Sequence, residues 1–384
     1  MSVERRHRIA AGSPVVVKAG TSSLVKAGGR LDDEALRTTV GHVVGLARDG
    51  YKPVLVSSGA VAAGLPALGL EHRPADVPGL QAAAAVGQGL LMERYATLFA
   101  EEGMVVGQIL LTKDLLASRL QYLHARDALQ RLLSLGVVPI INENDTVVVD
   151  ELRLGDNDRL AAVVSHLVNA GILVILTDTR GLYSADPRVV EEPELITAVQ
   201  ATDLALDDVM GGASGPFGSG GAVTKVAAAR MAAWSGIPTV IADAGQEAVV
   251  ASAVNGDEVG TWVAPHPERL AARKLWIAFG QPSEGRVIVD AGAAEALIAQ
   301  GKSLLAVGVT SVEGDFESGA AVDVIDAEGV SIGKGVIGLG SSGAREAVGR
   351  HSSEVGVLIH RDDFVQLALP PVSGARLTGD RLPT

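Results

Sequence analysis

Short apolar runs that each stop at a polar residue constrain this chain more than any other feature. Val15-Val16-Val17 ends at Lys18-Ala19-Gly20, and Val54-Leu55-Val56 ends at Ser57-Ser58-Gly59-Ala60. Met104 to Leu111 reads as another strand. Val137 to Ile141 ends at Asn142-Glu143-Asn144-Asp145, Leu173 to Leu176 at Thr177-Asp178, and Thr239 to Ile241 at Ala242-Asp243. Between them lie helix-like segments: Asp33 to Arg48, Leu80 to Glu101, Tyr122 to Ser134 and Asp158 to Asn169. Strands with no polar alternation need cover on both faces, and alternation with helices supplies it. The expectation is an α/β domain, a three-layer αβα sandwich around a mostly parallel sheet. Such sheets bind ligands beyond the carboxyl ends of their strands. Lys18, Ser58, Asn142, Asp145 and Asp178 all fall there.

The stretch from Leu173 to Lys225 points to a type of ligand. A buried strand is followed by a polar loop, then Arg180-Gly181-Leu182-Tyr183-Ser184-Ala185-Asp186-Pro187-Arg188. After a long excursion comes Gly218-Ser219-Gly220-Gly221-Ala222-Val223-Thr224-Lys225, just before an Ala-rich segment from Val226 to Trp234. Glycines let backbone N–H groups approach a phosphate, and a helix N-terminus adds partial positive charge. Lys225 adds a full charge. The spacing is not that of a Walker A loop.

Taken singly, each of these residues has a bland explanation. A lone Lys at a strand end commonly snorkels to water, and Ser58 alone is an ordinary helix cap. Asn and Asp in turns are equally unremarkable. Their recurrence at successive strand ends is what favours a site.

The remaining composition narrows the classes. Hydrophobic residues make up 47% of 384, which suits globular folding with a large core and room for two domains. No apolar run approaches a membrane span. The segment from Ser2 to Pro14 carries Arg5, Arg6 and Arg8 and lacks the apolar centre of a signal peptide. There is no cysteine, so disulfides and thiolate chemistry are excluded, and a cytoplasmic location is expected. A formal charge of −13 makes a poor general nucleic-acid binder. The eight His show no metal-ligand spacing, and no protein metal ligand is read.

After Val263 the texture changes. Ala264-Pro265-His266-Pro267 marks a boundary, followed by a linker-like helix from Arg269 to Lys274. From about Ser283 the segments are short and β-like: Arg286 to Val289, Ser303 to Val309, Ala321 to Ile325 and Lys334 to Ile337, with a helical piece from Ala293 to Gln300. A small β-barrel is expected. The resulting division is 1–264 for the first domain, 265–282 for a linker, 283–361 for the second and 362–384 for a tail expected to be disordered.

The first domain resembles the amino acid kinase superfamily and, within it, the glutamate 5-kinase family. The resemblance rests on Val-Val-Lys18-Ala-Gly-Thr-Ser-Ser-Leu, Ser57-Ser58-Gly-Ala, Ile141-Asn-Glu-Asn-Asp145 with Gly155-Asp-Asn157-Asp158, and the Leu173–Lys225 stretch. Ser219 and Ala222 stand where that family usually shows Thr and Met, and Ala19 where it usually shows Leu. The segment Val307 to Phe316 resembles a PUA domain. The resemblance spans roughly residues 13–361. It implies phosphorylation of the γ-carboxylate of L-glutamate by ATP, the opening step of proline synthesis. It makes Lys18, Lys225 and Asp158 catalytic, with Asp158 between the two lysines, orienting them and keeping both charged. It makes Ser58, Asp145 and Asn157 the glutamate contacts. ATP would meet Lys18, Thr177, Asp178, Ser219, Gly220, Gly221, Ala222, Val223, Thr224 and Lys225, with Asp186-Pro187-Arg188 on the adenine side. Mg2+ is implied as the partner of ATP, proline as a feedback inhibitor, and a homo-oligomer, dimer or tetramer, as the assembly.

Two rivals define the tests. One is another kinase of the superfamily, acting on N-acetylglutamate, aspartate, carbamate or a nucleoside monophosphate; the C-terminal barrel and the Gly-Asp-Asn-Asp run argue against it. The other is an RNA-binding protein acting through the barrel. Asp and Glu outnumber Lys and Arg after Ser283, which disfavours RNA as a partner.

Overall fold

A computed structural model describes residues 6–26, 29–112, 115–116, 118–147, 156–185, 190, 192–201, 221–280, 283–350 and 355–367. The chain divides into two compact units, Met1–Leu275 and Trp276–Thr384.

The first unit is built on an eight-stranded sheet. Its strands are β1 (Pro14–Ala19), β2 (Lys52–Ser57), β3 (Val106–Leu111), β4 (Val138–Glu143), β5 (Ile172–Thr177), β8 (Ala198–Gln200), β9 (Thr239–Asp243) and β10 (Thr261–Ala264). The small hairpin β6 (Leu182–Tyr183) and β7 (Leu195–Ile196) lies apart from it. The order is β3-β4-β2-β1-β5-β9-β10-β8, and every pair is parallel except β9 with β10. The apolar runs form the central strands, each buried almost throughout.

Side chains alternate across the sheet. Val15, Val17, Leu55, Ile140, Val174, Leu176 and Val240 belong to one core with residues of several helices. Among them are α2 (Asp33–Arg48), α4 (Val77–Glu101) and α8 (Val249–Asn255). The opposite face, with Val16, Val54, Val56, Ile141, Leu173, Ile175 and Ile241, is equally buried. It lies against α6 (Asp156–Val168) and α7 (Gly221–Trp234). The three-layer expectation holds. Lys18 shares this second face with Val16, so its side chain is directed toward α6.

Helix starts depart from the sequence reading where a cap sits upstream of the apolar pattern. The pattern predicts a start at Leu80, but Asp76 accepts from the Gly79 N–H at 2.8 Å and Pro78 occupies the first turn, so α4 begins at Val77. Ser118 likewise caps α5 (Arg119–Ser134), ahead of the predicted Tyr122.

Helix α3 (Ala60–Ala67) crosses α4 at glycine. A Cβ on Gly64 would overlap the Ala83 carbonyl, and one on Gly87 would overlap the Ala60 carbonyl. Only glycine allows that approach. The loop ahead of α3 is thereby pinned to the middle of α4.

The second unit holds a five-stranded sheet. It comprises β11 (Gly285–Val289), β13 (Val309–Gly314), β14 (Ala321–Ile325), β15 (Ser331–Val336) and β17 (Phe364–Gln366), in the order β13-β11-β14-β15-β17. A second pair joins β12 (Leu304–Leu305) to β16 (Val357–Ile359). The predicted strand Ser303–Val309 is thus two elements, parted by a 3-10 turn at Ala306–Gly308. Helix Ser341–Ala347 is an element the turn-rich sequence conceals. The sheet extends to Gln366, past residue 361, where the expected tail begins; residues 368–384 lie outside the described residues.

Candidate functional site

The ends of β4, β2, β1 and β5 stand side by side. Ala19 pairs with Ser57 on one side and Leu176 on the other, and Val56 pairs with Ile141. The next residues along each strand are therefore Asn142, Ser58, Gly20 and Thr177. The Ser58 N–H donates to the Ala19 carbonyl at 3.1 Å, and Gly59 turns into α3 with φ +107°, a conformation that favours glycine.

Asp158, in the first turn of α6, is 1% exposed. Its Oδ1 lies 2.5 Å from Lys18 Nζ, and its Oδ2 lies 3.5 Å from Lys225 Nζ. Thr224 Oγ1 donates to Oδ2 at 2.8 Å. Lys18 is 3% exposed, and a Cβ on Gly20 would come within 2.8 Å of its ammonium, so glycine leaves the lysine head its space. Burial works to raise the Asp158 carboxyl, but Lys18 and then Lys225 more than reverse that, and it rests below the ordinary carboxylate value. At Lys18 burial is the largest influence and lowers its pKa. Asp158 opposes that and Lys225 adds to it, leaving a net downward shift. The expectation that Asp158 keeps both lysines charged therefore meets an opposing force at Lys18, namely desolvation.

A second polar group adjoins the first. Asn157 Nδ2 donates to Ser58 Oγ and to Asn142 Oδ1, both at 2.9 Å. The Glu143 N–H is shared between Asn142 Oδ1 at 2.9 Å and Asn157 Oδ1 at 3.2 Å. Asn142 Nδ2 donates to Gln88 Oε1 at 2.8 Å, which ties the group to α4. Behind Ser58, Ser57 Oγ meets the hydroxyl of fully buried Tyr95 at 2.7 Å, and burial pushes that phenol above its usual range.

The structure thus brings Lys18, Lys225 and Asp158 together, and joins Ser58 to Asn157. Asp145 occupies the turn just beyond β4, half-buried. Thr177 is buried at the end of β5 and donates to exposed Asp178 at 3.1 Å. Gly221, Ala222, Val223, Thr224 and Lys225 form the opening of α7, with Gly221 and Ala222 exposed. Ser219, Gly220 and Asp186-Pro187-Arg188 lie outside the described residues. Gln88 and Tyr95 are absent from the sequence reading. Gln88 carries one signal, a polar residue directly after a glycine inside an apolar helix; Tyr95 carries none that separates it from core. No group of three or more His, Asp or Glu able to hold a metal occurs among the described residues. No helix among them is long and apolar enough to cross a membrane.

Chemically, two ammonium groups and two helix N-termini face one end of a sheet, with a buried carboxylate fixing their spacing. That arrangement suits an anionic group in transfer. The comparisons agree. Residues 13–243 match the amino acid kinase family model, and residues 285–358 match the PUA domain model. A glutamate 5-kinase of Chromobacterium violaceum is 46% identical over 368 residues, covering 94% of this chain and 99% of that protein. Glutamate 5-kinases of Marinomonas sp. strain MWYL1 and Salinispora arenicola are each 44% identical, over 94% of this chain and 100% of theirs. With both family models matched in order and such relatives aligned over nearly the whole length, the chain belongs to the amino acid kinase family, among its glutamate 5-kinases with a C-terminal PUA domain.

Proposed function

We propose that this protein transfers the terminal phosphoryl group of ATP to the γ-carboxylate of L-glutamate, giving ADP and L-glutamyl 5-phosphate. The observation that carries the reading is the buried Asp158 carboxylate held between Lys18 and Lys225. Phosphoryl transfer between two anions is limited by charge repulsion and alignment, so catalysis consists of positioning and neutralisation. A carboxylate acceptor is already ionised at neutral pH, so no general base is required. Lys18 and Lys225 neutralise the moving group from two sides, and Asp158 holds their spacing. Thr177, Asp178 and residues 219–225 take the nucleotide, with Mg2+ entering as the companion of its phosphates. Ser58, Asp145 and Asn157 take the amino acid: a hydroxyl donor suits its α-carboxylate, and an anion suits its ammonium. All these residues fall within 1–264, taken as the catalytic domain, ahead of a linker at 265–282 and the PUA-like domain.

The product is the opening intermediate of proline synthesis. Proline as an inhibitor, a homo-oligomeric assembly and a cytoplasmic location belong to the same reading. The acidic balance after Ser283 favours a regulatory or assembly role for the second unit over RNA binding.

The test is ADP formation by the purified protein across free glutamate, N-acetylglutamate, aspartate and nucleoside monophosphates, with hydroxylamine present to trap an acyl phosphate. Glutamate-dependent turnover with hydroxamate formation is expected. Turnover on another acceptor, with none on glutamate, would refute the assignment.

A further inference from the structure

We infer that Gln88, acting through Asn142, is a positioning residue that holds in place the amide orientation by which Ser58 and Asn157 face the acceptor substrate. The inference rests on the glutamate reading above only for the identity of that substrate. Its starting point is a single unambiguous donor. The backbone N–H of Glu143 can only donate, so the side-chain atoms of Asn142 and Asn157 that meet it must both be oxygens. The other end of each amide is then nitrogen. Asn142 therefore presents Nδ2 to Gln88, whose facing atom must be Oε1. Asn157 presents Nδ2 to both Asn142 Oδ1 and Ser58 Oγ, which uses both of its amide hydrogens. Ser58 Oγ, already accepting from Asn157, keeps its own hydrogen for another acceptor. Asn157 Oδ1 keeps one lone pair.

The consequence is a fixed polarity. Ser58 offers a donor and Asn157 an acceptor, which is the pattern a zwitterionic amino acid requires. An amide flip at Asn142 would set its nitrogen against the Glu143 N–H, two donors facing each other. Gln88 supports the unflipped state from the far side by accepting from Asn142 Nδ2, a buried donor that would otherwise have no acceptor there. Asn142 is 3% exposed, so water is a poor substitute partner. Gln88 is also held in place. It follows Gly87, whose missing Cβ seats α4 against Ala60 at the start of α3. The same crossing that carries the Ser58 loop therefore carries a residue that supports its polarity.

The experiment compares Gln88→Met with Gln88→Glu in the full-length protein. Met keeps the length and removes the acceptor; Glu keeps an acceptor oxygen at the same reach. Gln88→Met should raise the glutamate KM about three- to tenfold, the loss of one neutral hydrogen bond. Its ATP KM should stay close to wild type, its thermal midpoint should fall by a few degrees because the buried Asn142 Nδ2 loses its acceptor, and Gln88→Glu should restore most of both the glutamate KM and the midpoint. Side-chain amide signals of asparagine in 15N-labelled protein should move at Asn142 and Asn157 in the Met variant and far less in the Glu variant. Equal damage by both substitutions, or a matching rise in the ATP KM, would make Gln88 a packing residue and overturn the inference. A wild type without glutamate-dependent turnover would overturn only the identity of the substrate; the amide signals would then decide the role of Gln88.

Discussion

Replacing Asp158 by Asn tests the arrangement at the centre of the site. The substitution keeps size and removes one charge from between two ammonium groups at 2.5 and 3.5 Å. Lys18 feels the loss more, because it is closer and only 3% exposed. Leaving a buried charge without its partner costs about 3–5 kcal/mol, provided the charge stays. Lys18 has an exit: burial and Lys225 already lower its pKa, and Asp158 alone opposes them. Without Asp158 the proton is shed at a still lower pH, the fold loses less, and phosphoryl transfer loses its positive charge. At neutral pH kcat should fall by on the order of 10²–10³, the scale for losing one preorganised electrostatic contact. The pH profile separates this from misfolding. In wild type the alkaline limb of kcat should fall below the ordinary lysine value of 10.5, and in the variant it should move further toward acid. Stability gives an independent sign. Asp158 rests below 3.8, so its contribution is complete above that pH and disappears as pH falls through its folded value. The stability gap between wild type and variant, read from urea melts, should close as pH falls through that acid window, and should narrow again at alkaline pH, between the variant's Lys18 value and the wild type's, where only the variant has shed the proton. A variant with kcat within about threefold of wild type, or an unmoved alkaline limb, would refute the reasoning.

Lys225→Ala should lower kcat by on the order of 10²–10³ with a thermal midpoint close to wild type, since Lys225 lies at the edge of the pair; Lys18→Ala should match it in kcat and also destabilise, because it strands the buried Asp158. Steady-state kinetics with calorimetry checks both. Asp145→Ala should raise the glutamate KM by roughly 30-fold or more while the ATP KM moves far less, since breaking a desolvated charge pair costs about 2–5 kcal/mol. An unchanged glutamate KM would make Asp145 a turn residue. Gly87→Ala should destabilise by about 1–3 kcal/mol and raise the glutamate KM, because its Cβ would overlap Ala60 and force α3 from α4. Gly89→Ala, two residues on in the same helix, meets nothing within 4 Å and should leave stability unchanged or improve it.

What the sequence made legible follows from which physical signals are local. The strands at Val15, Val54, Val137, Leu173 and Thr239 announce themselves because a strand buried on both faces has no polar residue to blur its edges. Their polar terminators announce the site for the same reason. Helix starts were less legible because a cap is one side chain, and Asp76 and Ser118 stand outside the apolar periodicity. The second unit was harder still: its strands are short, and Leu304–Leu305 separates from Val309–Gly314 only at a 3-10 turn. In the site, charges were legible and amides were not. Lys18, Asp158 and Lys225 carry family motifs, whereas Gln88 acts across 54 residues of sequence, a distance no local pattern encodes.

That division between charge and amide corresponds to the two tasks that the proposed mechanism gives to adjoining residues. Asn157 and Asp158 are consecutive in the first turn of α6, and the turn sends them to different partners. Asp158 takes Lys18, Lys225 and Thr224, while Asn157 takes Ser58, Asn142 and the Glu143 amide. In the mechanism proposed above, the first group would neutralise the moving phosphoryl and the second would orient the acceptor. Because both hang from a single helical turn, the acceptor and the charge that drives transfer cannot be displaced independently. Alignment in phosphoryl transfer is sensitive to shifts on the order of 1 Å. A shared helical turn, seated on a sheet buried on both faces, is a stiffer mount than two loops would be. The glycine crossing of α3 and α4 completes it by tying Ser58 and Gln88 to the same rigid element. A change at Gly87 should therefore displace Ser58 against that turn and weaken glutamate binding, whereas a shift of the α6 turn itself should disturb glutamate binding and the Lys18–Asp158–Lys225 spacing together.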